Sequence, residues 1–141
     1  MDGSNFRVIE WDSESLTLLD QRCLPSEENY LRYTDWSGVA EAIRTMVVRG
    51  APAIGITAAY GVVLAARSLG SDGRSITLET LSKAFNALAA TRPTAVNLFW
   101  ALERMRQCVE NLASDENRVD ALEAEAVAIH REDREMCDAM G

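Results

Sequence analysis

Apolar and polar positions change their spacing once along the chain, at about residue 35. Ahead of it lie two short runs rich in strand formers, residues 6 to 11 (Phe-Arg-Val-Ile-Glu-Trp) and 15 to 23 (Ser-Leu-Thr-Leu-Leu-Asp-Gln-Arg-Cys). The polar triplet Asp12-Ser13-Glu14 separates them and reads as a turn, so the segment predicts a β-hairpin closed by Leu24-Pro25. A lone hairpin is marginal in water, so this one has to dock on something else.

After that point the period is helical. Val39, Ala42, Ile43, Met46 and Val47 recur at i, i+3, i+4, i+7 and i+8, with Asp35 or Ser37 as the cap and Arg49-Gly50 as the stop. Pro52 suits the first turn of a second helix over residues 52 to 68, dense in Ala and Gly and therefore suited to close packing at the centre of the fold. Gly70 to Gly73 makes a loop. A third helix over 77 to 90 carries Leu78, Leu81, Phe85 and Leu88 on one face and is interrupted by Arg92-Pro93. A fourth starts at Thr94 or Ala95 with the stripe Leu98, Leu102, Met105, Val109 and Leu112. After the loop Ser114-Asp115-Glu116-Asn117, a fifth runs over 118 to 140 with Val119, Leu122, Ala126, Ile129 and Met136 inward.

The predicted fold is thus mainly α: a small N-terminal β-hairpin element over residues 1–34, then a five-helix bundle-like domain over 35–141, the two forming one domain. Residues 50 to 66 carry no charge and raise the question of a membrane span. A span needs about 20 apolar residues, and this stretch is shorter and diluted by glycines, Thr57 and alanines, so a buried helix is expected and no membrane partner.

Charge narrows the partners. The net charge is −8, from 22 acidic against 14 basic side chains, which repels a nucleic-acid backbone and argues against DNA or RNA as a partner. It leaves room for a small anion, which responds to local charge. The three cysteines, Cys23, Cys108 and Cys137, are far apart and suggest neither a disulfide framework nor a zinc site. With no basic-then-apolar leader at the N-terminus, the expectation is a cytoplasmic protein with reduced, structural thiols.

Two segments carry candidate chemistry. In Val48-Arg49-Gly50-Ala51-Pro52-Ala53-Ile54-Gly55, an arginine and a glycine stand at a helix start. Such a start offers unpaired N–H groups and a partial positive charge, the glycine permits close approach, and Arg49 adds a forked cation: the ingredients for holding a phosphate monoester. In Thr91-Arg92-Pro93-Thr94-Ala95-Val96-Asn97-Leu98 an arginine again precedes a proline-marked helix start. Two such corners can converge on one anion. Each is also compatible with a plain helix connection, Arg49 on a surface carboxylate and Arg92 in solvent.

Taken together, these stretches resemble the signatures of the methylthioribose-1-phosphate isomerase family: Val-Arg-Gly-Ala-Pro-Ala-Ile-Gly followed by Ala58-Ala59-Tyr60-Gly61, and Arg-Pro-Thr-Ala-Val-Asn-Leu. The opening resembles the family too, in Ile9-Glu10-Trp11 and Leu18-Leu19-Asp20-Gln21-Arg22-Cys23-Leu24-Pro25. The resemblance runs over nearly the whole chain. It implies membership of the superfamily shared with the regulatory subunits of initiation factor 2B. It further implies an intramolecular oxidoreductase of the aldose–ketose type, with 5-methylthioribose 1-phosphate as substrate and methionine salvage as the setting. No metal or organic cofactor is implied, and a homodimer is implied for the full-length protein. The substrate-binding residues it implies are Arg49, Gly50, Ala51 and Arg92. The family's catalytic cysteine and aspartate belong to a C-terminal Rossmann-like domain, the cysteine in a Thr-His-Cys-Asn-Ala-Gly type segment that does not occur here. The expectation is an N-terminal part that binds the phosphosugar, has no catalytic residue and is inactive alone. A non-catalytic assembly module of the initiation factor 2B type and a ribose-1,5-bisphosphate isomerase are the alternatives.

Other candidates read as structural. His130, the only histidine, has no nucleophile near it in sequence. The acidic series Glu123, Glu125, Glu132, Asp133, Glu135 and Asp138 fits no calcium loop and reads as a solvated helix face. Trp11, Trp36 and Trp100 read as packing anchors, with sugar stacking as the lesser alternative.

Overall fold

The computed structural model describes residues 9–12, 14–19, 30–45, 47, 51–73, 75–92, 96–111 and 118–140, with the side chains at 51, 52 and 133–140 outside that description. Three short strands, β1 (Ile9–Trp11), β2 (Leu16–Leu19) and β3 (Tyr30–Tyr33), precede five helices: α1 (Trp36–Arg44), α2 (Ala51–Ser71), α3 (Leu78–Thr91), α4 (Val96–Glu110) and α5 (Arg118–Met140).

The predicted hairpin is present over Ile9–Trp11 and Leu16–Leu19, its outer ends at 6–8 and 20–25 lying outside the described residues, and Asp12 shapes its turn. Asp12 Oδ1 accepts from the N–H groups of Glu14 and Ser15 at 2.9 and 2.7 Å, the local bonding that makes aspartate a turn former. These donors hold the Asp12 carboxyl below its usual range. The hairpin pairs Ile9 with Leu18 and Trp11 with Leu16. A third antiparallel strand, β3, was not predicted. It pairs Leu16 with Tyr33 and Leu18 with Leu31, giving the sheet order β1-β2-β3. Leu16 and Leu18, on one face of the sheet, are fully buried in the core cluster, so that face docks on the helices as a marginal hairpin requires.

Helix α1 is capped by Asp35, whose carboxylate accepts from the Gly38 N–H at 2.8 Å and from the Ser37 hydroxyl at 2.6 Å. It ends five residues before the predicted stop. Thr45 takes the C-cap, its hydroxyl bonding the Glu41 carbonyl, and the Val47 N–H closes on the carbonyl of Ala42 in a Schellman-type bond. Val47 is still buried, so the apolar pattern is honoured by a turn rather than by more helix. Helix α3 opens with a reciprocal capping box between Thr77 and Thr80.

Helix α2 is the axis of the bundle. Its Ala53–Ser71 window is long and apolar enough to cross a membrane, and 78% of it is buried inside the fold, which fits a core helix. Gly61 lets α1 and α3 close on it: a Cβ there would lie 3.1 Å from Val39 Cγ1 and 3.4 Å from Leu88 Cδ1. The predicted stripes hold: Leu81 and Leu88 of α3, Leu98, Leu102, Met105 and Val109 of α4, and Leu122, Ala126 and Ile129 of α5 are all buried. Leu78, Phe85 and Val119 are partly buried against them. Leu112 and the Met136 side chain lie outside the described residues.

Candidate functional site

The two signature segments meet at one contact. A Cβ on Gly55 would lie 2.8 Å from the backbone oxygen of Asn97 and 3.4 Å from the Ala101 Cβ, so only glycine lets α2 and α4 approach this closely. Gly55 is the fifth residue of α2 and Asn97 the second of α4. With a rise of about 1.5 Å per residue, both helix starts therefore lie within about a turn of the crossing. The first-turn N–H groups of both helices, which have no partner within their own helix, lie at the positive ends of the two helix dipoles near this crossing.

Of the predicted site residues, Arg49 and Gly50 lie outside the described residues. Ala51 is the first residue of α2, one residue ahead of the predicted start. Arg92 is the C-cap of α3, in extended backbone at φ −141 and ψ 79. It is not the solvated side chain of a plain connection: the residue is half-buried, and its Nη1 is fully buried with no hydrogen-bond partner. A buried, unmatched guanidinium N–H is a donor waiting for an acceptor. The only other such orphan among the described residues is the Oγ1 of Thr57 in α2.

Beside this corner is an apolar face. Val96, Phe99 and Trp100, on one side of the first turns of α4, are 77%, 43% and 53% exposed. Trp100 is thus not a core anchor; its ring faces solvent with the Arg104 guanidinium 5.6 Å from its centroid. Arg104 is fixed in turn by Glu125 and by both oxygens of Glu132 at 2.8 and 2.7 Å, so part of the acidic face of α5 is an ion-pair surface for α4 rather than merely solvated. Trp36 is partly buried against the core, as predicted.

A second cluster was invisible in the sequence. Trp11 stacks on Tyr60 at 4.7 Å and donates its indole N–H to Glu123 at 2.7 Å, while the Tyr60 hydroxyl bonds His130 Nδ1 at 2.8 Å. These residues tie β1, α2 and α5 together. Burial, and then the nearby Glu123 charge, hold the Tyr60 phenol well above its usual range. His130 is therefore structural, and so is Glu123. Cys108 is half-buried with its thiol pushed up by burial and by Glu125, the signature of an inert thiol. Cys23 and the Cys137 side chain lie outside the described residues. Among the described residues no three His, Cys, Asp or Glu side chains gather as a metal site.

Comparison with known proteins places the arrangement. The family model described as the initiation factor 2 subunit family matches residues 47–141. Methylthioribose-1-phosphate isomerase from Pseudomonas fluorescens is 57% identical over 92% of this chain and 36% of its own length. The protein of the same name from Azotobacter vinelandii is 58% identical over 94% and 37%. The chain thus spans a little over a third of these curated relatives. Among solved structures, 5-methylthioribose 1-phosphate isomerase from Pyrococcus horikoshii superposes with a TM-score of 0.77 at 38% identity, over 89% of this chain and 36% of that one. The delta subunit of translation initiation factor eIF-2B from A. fulgidus does so at 0.76 and 36%, over 92% and 38%. The match over two thirds of its residues, across both signature segments and the helices that carry them, shows that this chain belongs to the initiation factor 2 subunit family.

Proposed function

We propose that this chain is the phosphosugar-binding part of a methylthioribose-1-phosphate isomerase. The whole protein would convert 5-methylthioribose 1-phosphate, an aldose phosphate, into 5-methylthioribulose 1-phosphate, its ketose, in methionine salvage. The observation that carries this is the Gly55–Asn97 contact: it sets two helix starts together beside Arg92, whose Nη1 is buried without a partner. The identity of more than half of the residues to isomerases of two genera supports the substrate.

In this reading the helix-start N–H groups, Arg49 and Arg92 hold the phosphate dianion, and Gly50 and Ala51 let the backbone come close. The chain's own work is then binding and orientation: with the phosphate fixed, the sugar carbons that exchange a proton are held at a set distance from the acid and base contributed elsewhere in the whole protein. The same reading has the protein working in the cytoplasm as a homodimer; the unpaired, inert Cys108 suits a reducing compartment.

A second reading is favoured by the near-equal superposition on the archaeal initiation factor subunit: a non-catalytic module acting through protein contacts. Calorimetric titration separates the two. The isomerase reading expects saturable binding of 5-methylthioribose 1-phosphate in preference to ribose 1,5-bisphosphate. Arg92→Ala should weaken it about 10- to 150-fold, since a hydrogen bond to a charged group is worth about 1.5–3 kcal/mol. Equal affinity in wild type and variant, or no binding to either, would refute it.

A further inference from the structure

Two buried polar atoms among the described residues have no hydrogen-bond partner, and they belong to different helices: Arg92 Nη1 after α3 and Thr57 Oγ1 in α2. Their levels in the bundle follow from two neighbouring contacts. A Cβ at Gly70 would meet Ile76 Cδ1 at 3.9 Å, and one at Gly61 would meet Leu88 Cδ1 at 3.4 Å. Moving back along α2 from 70 to 61 therefore moves forward from 76 to 88, so α2 and α3 are antiparallel. One further turn in that direction leads from Gly61 to Thr57 and from Leu88 to Arg92. Both steps are four residues, about 6 Å of rise on a helix. Thr57 also shares the face of α2 that Gly61 turns toward α1 and α3, because residues four apart lie one above the other. Helix rise thus puts the two orphans at about the same level, on neighbouring elements, toward the end of the bundle where α2 and α4 begin.

An unsatisfied hydroxyl in a fully buried threonine is unfavourable, and valine has the same shape without the penalty. A single unmatched donor and a single unmatched acceptor at one level suit each other. We propose that Thr57 is the positioning residue for Arg92. When the site closes on its anion, Arg92 Nη1 donates to Thr57 Oγ1, and this fixes the plane of the guanidinium. Nε and Nη2 are left to donate to two oxygens of the ligand phosphate, the forked geometry at which arginine excels. Thr57 touches no substrate; it acts through Arg92. The inference rests on the phosphate-binding reading of Arg92 given above.

The test compares Thr57→Val, Thr57→Ser and Arg92→Ala with wild type, reading the Kd of 5-methylthioribose 1-phosphate by calorimetry and Tm by differential scanning fluorimetry. A positioning role expects Thr57→Val to keep or raise Tm while Kd rises about tenfold, the loss of one hydrogen bond of about 1.4 kcal/mol. Thr57→Ser keeps the hydroxyl and loses a buried methyl, so Tm falls while Kd stays within about twofold. A merely structural threonine would leave the valine variant's Kd unchanged, with serine the worse variant in both measurements. Thr57→Val binding as wild type while Arg92→Ala is weakened would overturn the positioning role and leave the phosphate reading standing. Arg92→Ala binding as wild type would remove the phosphate reading, and the role of Thr57 with it.

Discussion

Replacing Gly55 with alanine tests whether the crossing of α2 and α4 holds the two helix starts together. The added Cβ would sit 2.8 Å from the Asn97 carbonyl oxygen, and ordinary contact begins at 3.4 Å, so α4 has to retreat by 0.6 Å. The obstacle is backbone, which cannot rotate away as a side chain can. Inserting a methyl into a packed interior costs about 1–3 kcal/mol, and against rigid backbone the upper part of that range, about 2–3 kcal/mol, applies. Alanine gives back about 0.8–1 kcal/mol of helix propensity. The net expectation is a loss of about 1–2 kcal/mol, a fall in Tm of about 3–8 °C for a domain of this size.

Gly61→Ala is the matched control. Its Cβ would lie 3.1 Å from a methyl of Val39 and 3.4 Å from one of Leu88, both the mobile ends of side chains. The propensity gain should therefore roughly cancel the crowding, leaving stability within about 0.5 kcal/mol of wild type. Urea unfolding of the three proteins decides the matter. A Gly55→Ala variant as stable as wild type, or less destabilised than Gly61→Ala, would show that the close approach does not hold the site.

The remaining predictions concern the scaffold. Trp11→Phe keeps the ring stacked on Tyr60 but loses the 2.7 Å bond to Glu123, so it should destabilise by about 1.5 kcal/mol. A double-mutant cycle with Glu123→Gln should return a coupling of at least about 0.5 kcal/mol, and strict additivity would contradict the bond. Asp35→Ala removes the cap of α1 and should cost about 1 kcal/mol at pH 7. The Ser37 hydroxyl and the Gly38 N–H hold the Asp35 carboxyl below its usual range, so its contribution is present above the unfolded pKa of about 3.9 and is lost as pH falls through the lower folded value. The gap between wild type and variant, followed by urea unfolding, should close below that pH; a constant gap would mean the cap does not act through its charge.

What the sequence made legible was what depends on neighbours in sequence. The five helices follow from stripes at i, i+3 and i+4, and the hairpin from Asp12 between two strand-forming runs. Strand β3 escaped because Tyr30–Tyr33 is only four residues long and alternates between exposed and half-buried, so its pairing partner, not its own composition, makes it a strand. Trp100 was misjudged because a tryptophan in an apolar-looking segment is usually inside; here it lies on the opposite side of α4 from Leu98 and Leu102. The Trp11–Tyr60–His130–Glu123 cluster joins residues up to 112 positions apart, and no local pattern reports such a pairing. The corners at Ala51 and Arg92 stand out in the sequence as candidate chemistry, but what joins them, the Gly55–Asn97 contact, does not. In the sequence Gly55 is one of several glycines in a small-residue helix.

An isomerase and a translation-factor subunit share this frame almost equally well, so the frame itself does not choose between catalysis and assembly. What can choose is the pairing of features the frame has no need of. A bundle requires Gly61 and the buried leucines in order to close. It does not require an arginine with a buried, unmatched N–H, nor a fully buried threonine with an idle hydroxyl; leucine and valine at those positions would pack as well and remove two desolvation penalties. Polar groups kept at a cost to folding are accounted for by work they do together. In the proposed reading Thr57 takes the Nη1 donor and a phosphate at the two helix starts takes Nε and Nη2, which gives the pair a reason to hold the guanidinium in one plane. A protein partner would place its contacts on exposed surface such as Val96, Phe99 and Trp100, and would need no guanidinium held in one plane.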